Sequence, residues 1–335
     1  MGTVKRIASI MGVITLFAVS SAQAAEPVTI RMSWVAPVAN WASIWLEKKD
    51  LARHFGKSYV MEPVHFSSSS AMITGQASGD LDIANYAFST FALAIVNAKM
   101  DDLRVIGEEF QDGVPGYYSN EYFVLKDSPI KTVEDLKGKV LATNGGGSAV
   151  DITMRAMLVK HHLDPDKDVS FVQAPLPAVG SMLAGQKVDL VPGVLPFSLD
   201  PHLRAIARPL FTQREALGIT QMLVLCAHKS FIDAHRAAMV DFMEDTLRIM
   251  HWFVDPKNHA EAVAIAANVV KVPPDRMDWV YTHQDYYRDP NMIPNLAALQ
   301  RNIDLTQQLG LVSANVDVKA HTDLSLIKEA MARLK

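Results

Sequence analysis

The sequence has only one cysteine among its 335 residues, Cys226, so no disulfide can form within the chain. Small exported proteins that cannot build a large core depend on several disulfides, and this composition excludes that class. Hydrophobic residues make up 49% of the chain, which is ample for a fold that rests on its core. A chain of this length usually forms more than one core, and we therefore expect two lobes.

The chain also lacks an excess of positive charge. It carries 32 Lys and Arg residues against 36 Asp and Glu, which gives a formal net charge of −4, and the two signs are interspersed. Proteins that bind nucleic acids leave a basic patch or stripe in the sequence. We therefore expect no nucleic-acid partner.

The first residues have the pattern of an export signal. Lys5 and Arg6 precede an apolar run from Ile7 to about Val19, and small residues follow at Ala22 and Ala24. The apolar run is shorter than the ~20 residues that a membrane-spanning helix needs. The sequence therefore predicts a signal peptide over residues 1–24 that is cleaved near Ala24, and an exported, soluble mature chain.

Short apolar strands alternate with helical patterns along the mature chain. Residues 28–34 and 59–66 have strand patterns, and helices are expected over 43–55, 71–77 and 89–98. Strands that alternate with helices at this spacing indicate βαβ units. The expected fold class is therefore α/β, with mainly parallel sheets flanked by helices.

One unit of the pattern occurs twice, over residues 71–84 and 181–191. Each copy has a short apolar helix, a glycine, and an acidic residue that opens a buried strand. Two further apolar strands, 122–126 and 222–226, are interpreted as the places where the chain crosses between lobes. A long amphipathic helix over 234–252 begins the part of the chain that returns to the first lobe.

The most informative stretch is a glycine turn between a predicted strand and a predicted helix, over residues 144–148. Ser148 followed by Asp151 has the form of a capping box, so the helix is expected to begin near Ser148. Backbone N–H groups at such a helix start favour a negatively charged ligand. The segment by itself leaves two readings open, an anion cradle and a tight turn that binds nothing.

In open α/β sheets, ligands bind beyond the carboxyl ends of the strands. This rule selects five segments, several of which carry hydroxyl, amide or bare glycine groups: 34–41, 67–71, 85–89, 144–148 and 193–197. Such groups suit a small polar ligand held between the lobes. On this placement the glycine turn is favoured as a ligand contact.

Patterns for enzyme chemistry are incomplete. Gly145 and Gly147 begin a dinucleotide fingerprint, and Gly146 with Ser148 begins a nucleophile elbow, but Val150 replaces the last glycine of both. A hydrolase with Ser148 as nucleophile stays an open alternative. Cys226 lies inside an apolar strand, which favours a buried inert thiol. We expect no catalytic residue, metal or cofactor.

The segment Asp127–Val140, which reads DSPIKTVEDLKGKV, resembles the periplasmic solute-binding proteins of bacterial ABC importers. Together with the unit at 79–84, it is similar to their nitrate, sulfonate and taurine branch. The resemblance implies a two-lobed, type II periplasmic-binding-protein fold with two hinge strands. Lobe I would comprise 25–114 and 228–335, and lobe II 115–227.

The resemblance also implies the function and the site. The protein would capture a small organic anion, such as a sulfonate, taurine or an aromatic carboxylate, and deliver it as a monomer to a membrane permease and its ATPase. The implied ligand contacts are Trp41, Ser68, Ser69, Tyr86, Gly147, Ser148, Val194 and Leu195. Residues 191–197 are apolar where related sulfonate binders are often polar, which favours an organic anion over nitrate. Enzymes on the same scaffold, or a ligand-presenting sensor, are the alternatives.

Overall fold

A computed structural model describes residues 26–334, so the predicted signal peptide and its cleavage site lie outside the described residues. The strands in chain order are β1 Val28–Trp34, β2 Tyr59–His65, β3 Ile83–Ala87, β4 Leu103–Asp112, β5 Glu121–Leu125, β6 Val140–Thr143, β7 Ser170–Gln173, β8 Val191–Gly193, β9 Ala207–Thr212 and β10 Thr220–His228. The helices are α1 Met72–Ala77, α2 Phe88–Val96, α3 Ala149–Lys160, α4 Val179–Ala184, α5 Pro201–Ile206, α6 Gln213–Leu217, α7 Lys229–Ala234, α8 Arg236–Val254, α9 His259–Val270, α10 Leu296–Gln308 and α11 Ser325–Arg333. The α/β class is confirmed.

The largest sheet has five strands in the order β2-β1-β3-β10-β4. The strands β3, β4 and β10 are largely buried, whereas the edge strand β2 has exposed residues. The helices α8, α10 and α11 pack on this sheet with their apolar faces. A three-stranded sheet, β8-β5-β9, and a two-stranded sheet, β6-β7, lie side by side and are linked by a bridge between Leu141 and Leu190. The core therefore divides into one large and two smaller clusters.

The prediction of mainly parallel sheets is wrong. Parallel pairs join β1 to β2, β1 to β3, and β6 to β7, whereas β10 runs antiparallel to both β3 and β4. The strand β5 is likewise antiparallel to β8 and β9. The strands β5 and β10 each follow directly after a passage between the sheets. The chain therefore enters the new sheet from the end opposite to that at which the neighbouring strands begin.

The chain leaves the large sheet through residues 113–120 and returns to it through 213–219. The two passages are tied together, since Asn120 Nδ2 donates to Gln213 Oε1 at 3.1 Å and Arg214 Nε donates to the carbonyl of Gly113 at 2.9 Å. Residues 220–227, which the sequence analysis assigned to lobe II, pair within the large sheet as β10. The division into two lobes itself stays a prediction.

The expected helix over 43–55 is also wrong, because two short 3-10 segments, Trp41–Ser43 and Trp45–Leu51, occupy this region. The tryptophan-rich chain there follows the contour of the core: Trp45 packs on Phe242 of α8, with ring centroids 6.3 Å apart. None of the helices between residues 26 and 334 is long and apolar enough to cross a membrane.

Candidate functional site

The segments that follow the strand ends of the large sheet and of the two smaller sheets meet at a cavity of about 60 Å³. Its walls come from the loop after β1, the four serines at 67–70 after β2 (the serine run), β3, β4, β10 and the start of α3. The lining residues are uncharged: Val35, Ala36, Ala39, Asn40, Ser69, Ala87, Phe110, Asn144, Ser148, Ala149, Val150, Leu176, Val194, Met222 and Leu223. Apolar side chains and a few amides and hydroxyls are what small-molecule sites use to hold a ligand and fix its orientation.

Helix α3 begins at the cavity, with Ser148 as its N-cap, as the sequence predicts. The Ser148 Oγ accepts from the N–H of Asp151, and the Asp151 carboxylate accepts from the N–H of Gly147 at 2.8 Å. Burial raises the pKa of Asp151, while this backbone contact and Arg155 oppose the shift. The Gly147 N–H is therefore already used inside the protein.

The N–H of Ser148 donates to the carbonyl of Gly145 at 3.1 Å, whereas those of Ala149 and Val150 have no acceptor among the residues that the structure describes. The first N–H groups of a helix have no partner within the helix, and both residues line the cavity. Backbone donors were expected at this helix start, but they were assigned to Gly147 and Ser148 rather than to these two residues. The available donors lie just after the predicted glycines.

Gly147 instead holds the turn in place. Its φ of +74° is in the left-handed region, and a Cβ there would lie 2.6 Å from Leu93 Cδ1 of α2. Its carbonyl accepts from Ser89 Oγ at 2.7 Å, also from α2. The bare backbone thus permits close contact between α2 and the glycine turn, and Gly147 does not line the cavity.

The serine run faces the same turn from the large-sheet side. Ser69 lines the cavity, whereas Ser68 packs against Gly145, where an added Cβ would lie 2.9 Å from Ser68 Oγ. Ser70 Oγ donates to the carbonyl of Gly146 at 3.0 Å. Of the two predicted serines, Ser69 lies on the cavity wall and Ser68 supports the turn.

The structure places Trp41 and Tyr86 away from the cavity. The Trp41 ring stacks on Tyr281, with centroids 5.6 Å apart, on the side of the C-terminal segments. Tyr86 is buried in β3, and its neighbour Ala87 lines the cavity, because successive side chains of a strand point to opposite faces.

Of the last two predicted ligand contacts, Val194 and Leu195, one lines the cavity and the other does not. Val194 lines the cavity, whereas Leu195 is fully buried and packs in the large core cluster. The N–H of Leu195 donates to Tyr286 Oη at 3.1 Å. The structure therefore brings Ser69, Ser148 and Val194 together at the cavity.

Sequence reasoning missed several walls of the cavity, among them Phe110, Leu176 and Met222. Phe110 lies within β4, and its ring stacks on Tyr286 with centroids 4.1 Å apart. These residues look like ordinary core positions in the sequence, so no local signal separates them. Asn40 and Asn144 did lie in the segments selected by the strand-end rule, although neither was assigned a ligand contact.

A buried carboxyl group, Glu109, lies behind the loop that contributes Asn40. Its Oε1 accepts from the N–H of Trp41 at 2.6 Å and its Oε2 from Asn85 Nδ2 at 2.7 Å. Burial raises the pKa of Glu109 to about 7, although the Asn85 and Trp41 contacts oppose the shift. This network fixes the position of the loop after β1.

The raised pKa of Glu109 predicts a pH dependence of stability. The folded protein holds this proton up to about pH 7, and the unfolded chain releases it near pH ~4.3. The free energy of unfolding should therefore fall as pH rises through this window, by roughly 3 kcal/mol from Glu109. Urea unfolding from pH 4 to pH 8 should show that Glu109→Gln removes this share of the fall.

The matched control is Glu47→Gln, because Glu47 is exposed. Burial also raises the pKa of Glu108 to about 7 and that of Asp112 to about 6, so part of the wild-type pH dependence should remain in Glu109→Gln. An unchanged pH dependence in Glu109→Gln would contradict the assignment.

Of the thiol of Cys226 and the hydroxyl of Ser148, the two nucleophile positions discussed above, only Ser148 lines the cavity. Cys226 is fully buried in β10, where burial raises the pKa of its thiol, and it does not line the cavity. Within residues 26–334, the Ser148 hydroxyl forms no hydrogen bond with a histidine. Between residues 26 and 334, no group of three His, Cys, Asp or Glu side chains is placed to hold a metal ion.

Comparison with known proteins gives one family match. The model of the NMT1-like family matches residues 23–267, well over half of the chain. A comparison with curated proteins gives no match.

Solved structures resemble the chain over nearly its whole length. The alkanesulfonate-binding protein SsuA from Xanthomonas axonopodis pv. citri, bound to MOPS, is 20% identical, with a TM-score of 0.71 over 90% of this chain and 99% of that one. The nitrate-binding protein NrtA from Synechocystis PCC 6803 is 15% identical, with a TM-score of 0.71 over 92% and 90%. The desulfurization enzyme DSZB is 13% identical, with a TM-score of 0.63 over 92% and 100%. At these identities the likeness establishes the fold.

Proposed function

The chain belongs to the NMT1-like family, and on that premise we propose that it is the substrate-binding component of an ABC importer. In this proposal it captures a small organic anion in the cavity at the start of α3 and delivers it to a membrane permease. The observation that supports the proposal most is the pair of unpartnered N–H groups of Ala149 and Val150 on the cavity wall.

An anion suits the cavity because of the helix start. The N–H groups and the positive end of the α3 dipole attract negative charge, and the Ser148 and Ser69 hydroxyls add donors. The lining has no cationic side chain, so backbone and hydroxyl groups alone would compensate the ligand's charge. Such a site favours a single negative charge, as on a sulfonate or carboxylate.

The size of the cavity favours short members of this class. At about 60 Å³ the cavity is small. The apolar walls formed by Phe110, Leu176 and Met222 would cover a short aliphatic body. A short aliphatic sulfonate or carboxylate thus fits this arrangement better than an aromatic one.

Binding would be coupled to closure of two lobes. Contacts from the large-sheet side reach the glycine turn directly, from Ser70 to Gly146 and from Ser89 to Gly147. A ligand held by both sides would shift the population towards this closed arrangement. In the proposal, the passages 113–120 and 213–219 act as hinges, and residues 220–227 move with lobe I.

The location and partners of the protein follow from the same proposal. A cleaved signal peptide would place the mature chain in the periplasm. There the protein would act as a monomer and meet the permease and its ATPase. The similarity to NrtA, which is described as periplasmic and nitrate-binding, supports the proposed location.

An enzyme is the second candidate, because DSZB shares the fold. The only cysteine in this chain is buried away from the cavity, which supports binding without chemical conversion. A sensor that presents its ligand to a receptor would use the same cleft, and neighbouring permease and ATPase genes would favour transport over sensing.

Isothermal titration calorimetry on the mature protein, with a panel of short sulfonates and carboxylates, tests the proposal. We expect one-to-one binding of at least one member and no change in the recovered ligand. No heat with any member would overturn the proposed ligand class. Formation of a product from a bound ligand would favour the enzyme.

A further inference from the structure

The amide of Asn144 has a buried oxygen without a partner at the cavity. Asn144 lines the cavity and is only 7% exposed. Among the described residues, no donor reaches its Oδ1. A buried acceptor without a hydrogen bond costs about 1–3 kcal/mol, so a group that donates to it would be favoured strongly.

The orientation of the amide follows from its other contact. The Asn144 Nδ2 donates to the carbonyl of Ser67 at 3.5 Å, across the interface between the serine run and the glycine turn. Turning the amide over would set its oxygen against the Ser67 carbonyl, and two acceptors would then face each other. The oxygen therefore lies on the side of the amide opposite Ser67, and it is the unpartnered acceptor of a side chain that lines the cavity.

Acceptor and donors lie close together in the chain, with Asn144 before the glycines and the N–H groups of Ala149 and Val150 after them. We propose that Asn144 is a specificity residue, and that the cleft selects small anions that also carry a neutral hydrogen-bond donor, such as a hydroxyl group. The inference rests on the proposed function, because it concerns the same ligand in the same cavity.

A neutral donor fits better than an ammonium group. The cavity lining contains no carboxylate, and a buried ammonium group without a charged partner is costly. The buried carboxyls of Asp151 and Glu109 are already engaged: Asp151 accepts from the Gly147 N–H, and Glu109 from Trp41 and Asn85. A hydroxyl group satisfies the Asn144 oxygen without the cost of burying a second charge.

Three sulfonates of similar size separate these cases, because they share the anionic head. Calorimetry on the wild-type protein should give 2-hydroxyethanesulfonate an affinity at least about 10-fold above that of ethanesulfonate. The 2-aminoethanesulfonate ion, which carries an ammonium group, should bind more weakly than the hydroxyl compound. The same order is expected for lactate against propionate.

Two variants assign the preference to Asn144. In Asn144→Leu, the ratio of the two affinities, hydroxyl compound to ethanesulfonate, should fall to about one, even if both affinities drop through loss of the Ser67 contact. Asn144→Asp should move the preference towards 2-aminoethanesulfonate, because a carboxylate now faces the ammonium group. The control is Ser70→Ala, which removes an interlobe hydrogen bond outside the cavity lining and should weaken all three ligands by the same factor.

The outcomes separate the inference from the proposed function. Equal affinities for ethanesulfonate and 2-hydroxyethanesulfonate in the wild-type protein would overturn the inference and leave the binding function standing. The same holds if Asn144→Leu keeps the wild-type ratio. Absence of binding by every sulfonate and carboxylate would overturn both.

Discussion

Replacement of Gly113 by alanine is expected to lower the free energy of unfolding by about 3 kcal/mol or more. Gly113 has a φ of +78°, and a Cβ on it would lie 2.4 Å from the carbonyl oxygen of Gly218. The obstructing atom belongs to the backbone, so no side-chain rotation relieves the overlap. The two passages between the sheets, 113–120 and 213–219, would have to separate, and chemical denaturation measures the cost.

Gly116→Ala is the matched control. Gly116 lies in the same passage and has a φ of +86°, but nothing lies within 4 Å of its added Cβ. Both variants carry the strain of a left-handed alanine, roughly 1–2 kcal/mol, and only Gly113→Ala adds the overlap. Equal destabilisation of the two variants would contradict the tight pairing of the passages.

Replacement of Ala149 by proline is expected to weaken anion binding by about 10- to 100-fold while the fold persists. Ala149 is the first residue of α3, a position where proline is favoured because its missing N–H has no helical partner. Ser148 has φ −69° and ψ 163°, a conformation that a following proline accepts. The substitution therefore removes one proposed ligand donor without breaking the helix, and calorimetry reads the loss.

Ala149→Gly serves as the comparison, since it keeps the N–H and removes only a methyl group. It should bind nearly as well as the wild-type protein, and the thermal unfolding of both variants shows whether the helix is retained. Wild-type affinity in Ala149→Pro would show that the start of α3 does not hold the ligand.

Local patterns in the sequence predicted the elements that depend on local chemistry. The strand over 28–34 has the predicted bounds, and Ser148 caps α3 as its pairing with Asp151 indicates. The alternation of apolar and polar side chains and a hydrogen bond between residues three positions apart determine these features. A short stretch of sequence is therefore enough to predict them. The segment over 43–55 failed because packing of Trp45 against α8 overrides its helical spacing.

Side-chain direction limited the prediction of the site. Tyr86 and Ala87 are neighbours in one strand, and only Ala87 faces the cavity. Trp41 lies in the expected loop, yet its ring packs on Tyr281, which is distant in sequence. The strand-end rule found the right segments, but the long-range packing that decides which side chain of a segment points inward has no signature in the sequence.

The antiparallel strands illustrate a second limit. The periodicity of β10 and β5 shows that they are buried strands, but not the direction from which the chain enters each sheet. That direction is set by the passages at 113–120 and 213–219. The role of their polar residues follows only from the contact between Asn120 and Gln213, which no local pattern in the sequence indicates.

The central claim is that the mature chain binds one small organic anion, unchanged, at the start of α3. Native mass spectrometry after incubation with 2-hydroxyethanesulfonate tests it most directly. The account predicts a single one-to-one adduct that releases the ligand at its original mass, and loss of this adduct in Ala149→Pro. An equal adduct in Ala149→Pro, no adduct with this or any other short anion, or a ligand released at a changed mass would contradict it.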